Sequence, residues 1–171
     1  MMEAEEHRDL RDAPEVSAPP LGRFFTLGDR RLLLHRSGSG SPPVIFLAGG
    51  GAVGLDYLNV QVRTAELTTS VLYDRAGTGW SDSVDLPRTS AEVTDELRAL
   101  LRVADIAGPY LLVGHSLGGL YARHYAQRFP DEIAGLVLLD PVICQWDGTT
   151  SLPAGWDHFA GPTSRPVKIV T

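Results

Sequence analysis

The chain holds a single cysteine, Cys144, in 171 residues. No disulfide can form within it, and a reducing compartment, the cytoplasm, is the expected location. Basic residues are few as well: 15 Lys and Arg stand against 21 Asp and Glu, a net charge of −6. That balance excludes nucleic acid as a partner, because phosphate binding needs clustered Lys and Arg. No apolar run reaches membrane-spanning length, so no membrane partner is expected. Residues 1–12 alternate acids and bases and lack the apolar core of a secretory signal. No His, Cys and Asp group has metal-ligand spacing, and neither a metal nor any other cofactor is expected. Histidine is scarce where it matters most: only His124 and His158 follow residue 116.

Glycine, by contrast, is plentiful, and much of it sits at the ends of short apolar runs. Hydrophobic residues at 43% and charged residues at 21% are enough for one globular domain with a sizeable core. Residues 1–21 are charged and then proline-rich, with Pro14, Pro19 and Pro20, and read as a flexible tail. Residues 22–27 and 31–36 read as two strands joined at Gly28-Asp29, a pair that favours a hairpin. Val44-Ile45-Phe46-Leu47 and Val71-Leu72-Tyr73 are continuous apolar runs, as parallel strands buried on both faces require. Residues 55–67 carry a weaker helical pattern. Residues 89–104 carry a strong one: Thr89 and Glu92 fit a capping box, and Val93, Leu97, Leu100, Leu101 and Ala104 share a face. A strand over residues 111–113, a helix over residues 120–129 stopped by Pro130, and a strand over residues 136–139 follow. An opening hairpin and then alternating strands and helices predict an α/β domain over residues 22–141 with a mainly parallel sheet. Residues 142–171 look irregular, except that residues 166–171 resemble the start of a seventh strand.

The chemistry is concentrated at Gly114-His115-Ser116-Leu117-Gly118-Gly119, directly after an apolar strand and before a helical pattern. A serine hydroxyl is a poor nucleophile unless a base takes its proton and the backbone presents it exposed. Gly-x-Ser-x-Gly meets the second need, because glycines on either side of the serine let strand and helix close on a cramped turn. The helix that begins there points free N–H groups at the place where an oxyanion would form.

Three motifs in this order resemble the α/β-hydrolase superfamily, over about residues 25–141. Gly114 to Gly119 is similar to its nucleophile elbow. Ala48-Gly49-Gly50-Gly51 resembles the loop after its third strand, although Ala48 stands where many members have histidine. Asp74-Arg75-Ala76-Gly77-Thr78-Gly79-Trp80-Ser81-Asp82 resembles the loop after its fourth strand. The resemblance implies that Ser116 attacks an ester or amide-type carbonyl of a small-molecule substrate, forming an acyl-enzyme. It also implies that the backbone N–H groups of Leu117 and of Gly50 or Gly51 hold the oxyanion, and that strands run in the order one, two, four, three, five, six, seven, eight.

The chain departs from that pattern after the sixth strand. The resemblance calls for an acid and then a histidine after an eighth strand, and neither strand nor histidine is found before Thr171. His124 lies eight residues along the helix from Ser116, about 12 Å away at 1.5 Å per residue, and reads as a packing residue. Asp140 and His158 would complete a triad in the right order. The simplest expectation is a fragment of an ordinary-sized hydrolase, lacking its last strands, whose apolar sixth strand lies near a sheet edge and promotes self-association. A non-catalytic remnant of the same fold is an equal alternative. A third reading rests on Gly49-Gly50-Gly51-Ala52-Val53-Gly54, a Gly-x-Gly-x-x-Gly after a strand, with Asp74 twenty residues beyond Gly54. That is the fingerprint of a nicotinamide dinucleotide site. Trp146, Trp156 and Phe159 suit either a lid over an acyl pocket or an irregular end.

Overall fold

Short apolar runs and the turns between them build a seven-stranded sheet in the computed structural model, which describes residues 18–142 together with the strand Ile169–Val170. Residues 1–17 of the expected 1–21 tail, together with Cys144, Trp146, Trp156, His158 and Phe159, lie outside the described residues. The strands are β1 (Arg23–Leu27), β2 (Arg30–Ser37), β3 (Val44–Leu47), β4 (Ser70–Tyr73), β5 (Tyr110–His115), β6 (Ile133–Leu139) and β7 (Ile169–Val170), and their order across the sheet is β1-β2-β4-β3-β5-β6-β7. β1 and β2 form the antiparallel hairpin, with Leu27 opposite Arg30 around the Gly28-Asp29 turn. β2 joins β4 antiparallel, and every later pairing is parallel. This is an α/β-hydrolase-like sheet, hairpin included.

Three helices flank the sheet. α1 (Leu58–Ala65) follows a single 3-10 turn, Gly54–Tyr57; α2 is Ser90–Val103; α3 is Leu117–Arg128. The weak pattern over residues 55–67 therefore resolves into two pieces. The first is closed by the Asp56 carboxylate, which accepts the Val53 N–H at 2.9 Å. α2 begins at the expected box: Thr89 Oγ1 accepts the Glu92 N–H at 3.2 Å, and the Glu92 carboxylate accepts the Thr89 N–H at 2.7 Å. Its apolar face is buried: Val93 is 3% exposed, and Leu97, Leu100, Leu101 and Ala104 join the core cluster that includes β-strand residues and α3. α3 starts three residues earlier than its periodicity suggested, at Leu117, because Gly118 and Gly119 hide a helical turn behind poor helix propensity.

The core has two layers. The larger one joins β1, β2 and the central strands to α2 and α3 through Leu97, Leu100, Tyr125 and Leu136; the smaller one sets Val44, Phe46 and Leu72 against Leu55, Tyr57 and Leu58. Both hold the C-terminal ends of β3, β4 and β5 in one row, the edge at which open α/β sheets carry their ligands. α3 is pinned at its far end. The Tyr125 hydroxyl donates to Glu132 at 2.8 Å, and the same carboxylate accepts Arg98 Nη2 of α2 at 2.6 Å. Arg98 foremost, through these hydrogen bonds, keeps the Glu132 carboxyl below the ordinary carboxylate range.

Candidate active site

β5 ends at His115, α3 begins at Leu117, and Ser116 is the whole of the turn between them. Its backbone sits at φ 50° and ψ −118°, a left-handed conformation that costs a side-chain-bearing residue on the order of 1–3 kcal/mol. Neighbouring contacts over-determine it. The Ser116 N–H donates to the Leu139 carbonyl at 3.0 Å, and the Ser116 carbonyl accepts from Gly119 at 3.0 Å and from Val142 at 2.9 Å. The flanking glycines are sites of close approach. A Cβ on Gly114 would lie 2.7 Å from the Gly118 carbonyl oxygen, and one on Gly118 would lie 2.0 Å from the Leu47 carbonyl oxygen. The helix thus enters the sheet closer than any side chain permits.

The loop after β3 folds over this turn. A Cβ on Gly49 would stand 3.4 Å from Ser116 Cβ, and one on Gly50 would stand 3.7 Å from Leu117 Cδ2. Gly50 thus lies beside the Leu117 side chain, and Gly49 beside that of Ser116. The Leu117 N–H belongs to the first turn of α3, where no carbonyl of the helix can accept it. His115 lies beneath the loop with its Nδ1 2.8 Å from the Tyr57 hydroxyl, which ties the 3-10 turn to the end of β5.

The loop after β4 is organised around Asp74. This carboxylate is 1% exposed and accepts the Gly54 N–H at 2.7 Å and the Trp80 N–H at 2.9 Å. Gly79 passes so close that a Cβ there would be 2.1 Å from Asp74 Oδ2. Ser81 Oγ closes the loop, donating to the Asp74 carbonyl at 2.6 Å and accepting the Leu33 N–H at 2.9 Å. The dinucleotide reading is corrected here. Asp74 is buried and spends both oxygens on backbone amides, so none is presented to a ribose, and Gly54 packs against the Tyr73 backbone rather than facing a pyrophosphate.

Of the other candidates, Asp140 directly follows β6, exposed and at φ 42°. It follows Leu139, whose carbonyl holds the Ser116 N–H, so the chain brings it to the same end of the sheet as the serine. His124 is carried away from Ser116 along α3, as the helical rise requires; its Nε2 is buried without a hydrogen-bond partner among the described residues. No role was legible for Arg75, which is 6% exposed and donates to the carbonyls of Ala48 and Gly49. A basic residue two positions past a buried apolar strand was the available signal. Among the described residues no helix is long and apolar enough to cross a membrane.

Comparison with known proteins agrees with this architecture. A protein of Bacillus subtilis (strain 168), itself uncharacterized, is 34% identical over 119 residues, which are 70% of this chain and 47% of that protein. The crystal structure of VinJ superposes with a TM-score of 0.62 at 32% identity, covering 72% of this chain and 45% of VinJ. A thermophilic esterase from Thermogutta terrifontis superposes with a TM-score of 0.63 at 25% identity, covering 66% of this chain and 41% of the esterase. The chain spans less than half the length of each. The sequence profile described as the alpha/beta hydrolase family matches residues 44–169, most of the chain. On sheet order, elbow and profile together, the chain belongs to the alpha/beta hydrolase family.

Proposed function

We propose that this chain carries the nucleophile and oxyanion hole of a serine hydrolase acting on an ester or amide-type carbonyl of a small molecule through an acyl-enzyme. The observation that carries the reading is Ser116, held at φ 50° between β5 and α3, with Gly49 folded against it and Gly50 against Leu117. On this reading Ser116 Oγ adds to the carbonyl carbon and its proton passes to a general base. The N–H groups of Leu117 and Gly50 take the oxyanion. Collapse then expels the alcohol or amine, and water releases the acid. That a structural neighbour is described as an esterase supports this class of substrate. Asp140 is the acid best placed to orient a base, and His158 is the histidine the sequence offers.

A fluorophosphonate probe tests the reading on the intact chain, since it reacts only with an activated serine. A covalent adduct mapped to Ser116 by mass spectrometry is the expected result. No adduct at saturating probe overturns it and favours the non-catalytic remnant. Capture that disappears in His158→Ala assigns the base to His158, and capture indifferent to that change removes His158 from the site.

We also propose that the isolated chain self-associates through the β6 end of its sheet. Among the described residues, β7 pairs with Leu136 and Val137 of β6, and beyond them Leu139 and Val142 are 46% and 40% exposed. An apolar strand with unpaired N–H and C=O groups templates pairing with another chain. Light scattering coupled to chromatography is expected to give a mass above 18.5 kDa; a monodisperse monomer would count against it.

A further inference from the structure

We propose that Arg75 is a positioning residue for the oxyanion hole, one that both aims and strengthens the Gly50 N–H; this rests on the serine-hydrolase reading. Arg75 lies two residues past the end of β4, and its guanidinium reaches the loop after β3. Nη1 donates to the Ala48 carbonyl, and Nη2 donates to the Gly49 carbonyl at 2.7 Å. The guanidinium also lies over the Tyr121 ring of α3, with Cζ 5.5 Å from its centre. Two carbonyls and a ring face hold it on three sides, and it is almost fully buried.

The consequence follows from peptide planarity. In a trans peptide the C=O and the N–H of the next residue point in opposite directions. With the Gly49 carbonyl drawn toward Arg75, the Gly50 N–H must point away from Arg75. The Ala48 carbonyl and the Gly49 N–H obey the same rule. Gly49, Gly50 and Gly51 lack the side chains that would otherwise limit rotation, so something outside the loop must choose which way these peptides face. Arg75 makes that choice.

The second effect is electronic. A peptide whose carbonyl accepts a hydrogen bond becomes a stronger donor at its N–H, by about 10–30% per bond in condensed phase. Here the donor to that carbonyl is a full positive charge. Among the described residues Arg75 has no carboxylate partner within ion-pair distance. Glu96, in the adjoining layer, is already shared by Arg88 Nη2 at 2.7 Å and the Ala76 N–H at 3.1 Å. The field of Arg75 is therefore left to act on the peptide dipoles and on any negative charge that develops at Ser116. A donor preset in this way requires no reorientation when the oxyanion forms.

The test compares the full chain with Arg75→Met, which removes every donor, and with Arg75→Lys, which keeps the charge without the planar fork. In two-dimensional NMR of 15N-labelled protein, the Gly50 amide proton is expected to move upfield in Arg75→Met. Arg75→Lys should give a smaller change of the same sign, while the Gly114 and Gly119 amides stay in place. In the same samples the rate of fluorophosphonate capture at saturation should fall about tenfold, less than the hundredfold or more that losing a donor outright costs. The probe concentration at half-saturation should stay the same. If Arg75→Met does not fold, Arg75→Lys decides. A Gly50 amide unmoved in a folded variant overturns the proposal, as does a moved amide with unchanged capture. A wild-type chain that never reacts defeats the serine-hydrolase reading instead, and the Gly50 amide alone then decides whether Arg75 orients the peptide.

Discussion

Ser116→Gly is expected to melt above Ser116→Ala by about 2–4 °C, while both variants lose fluorophosphonate capture entirely. At φ 50° and ψ −118° any residue with a Cβ is strained, and glycine is not. Relief of about 1–3 kcal/mol is set against the greater unfolded-state freedom of glycine, about 0.4–1 kcal/mol. A net gain of about 1 kcal/mol corresponds to that shift in Tm for a domain of this size. Alanine keeps the strain and removes only the hydroxyl, so it isolates the chemistry from the backbone. Thermal unfolding by circular dichroism, with capture measured on the same samples, checks both halves. If Ser116→Gly melted at or below Ser116→Ala, Ser116 would not be under the strain assigned to it, and the elbow would be an ordinary turn.

The elements that were legible in the sequence are those whose signals are local. α2 announced itself because its capping box, Thr89 with Glu92, and its apolar stripe from Val93 to Ala104 lie within one segment. β3 and β4 were legible because strands buried on both faces need no alternation, only an unbroken apolar run. The first turn of α3 was not. Gly118 and Gly119 argue against a helix by propensity, and only the nearness of Leu47 and Pro141 in space explains why they are there. The same holds within the site. Ser116 was legible from five consecutive residues, whereas the partners of Asp74, Gly54 and Trp80, are fixed only once two loops meet. Gly49 to Gly54 with Asp74 satisfied a dinucleotide fingerprint letter by letter, and burial of the carboxylate is what removed that reading. Arg75 was hidden for a related reason: its targets are carbonyls, and which way a carbonyl points in a triple glycine is a property of the folded loop, not of its letters.

Gly118→Ala is expected to destabilise the chain by about 3 kcal/mol or more, the upper end of what overpacking costs. The new Cβ would sit 2.0 Å from the Leu47 carbonyl oxygen, 2.6 Å from its carbon and 2.7 Å from the Ala48 carbonyl oxygen. All three are backbone atoms of β3 or of the loop that follows it. No flexible side chain can give way, so either α3 or β3 must move by about an ångström in an interior packed as densely as an organic crystal. Domains have only about 5–15 kcal/mol in hand, and a large part of that would be gone. Gly50→Ala is the control. Among the described residues its Cβ would meet the Leu117 side chain, Cδ2 at 3.7 Å and Cβ at 3.9 Å, both ordinary contacts. Its melting point should therefore stay close to wild type, while a methyl group beside the oxyanion donor slows fluorophosphonate capture. Urea unfolding of the pair separates the two roles of glycine at this site. Gly118 lets the helix reach the sheet, and Gly50, on the proposed serine-hydrolase reading, leaves room for the substrate oxygen. Equal stability losses in the two variants would mean that α3 does not approach β3 this closely, and with it would go the account of how the serine is presented.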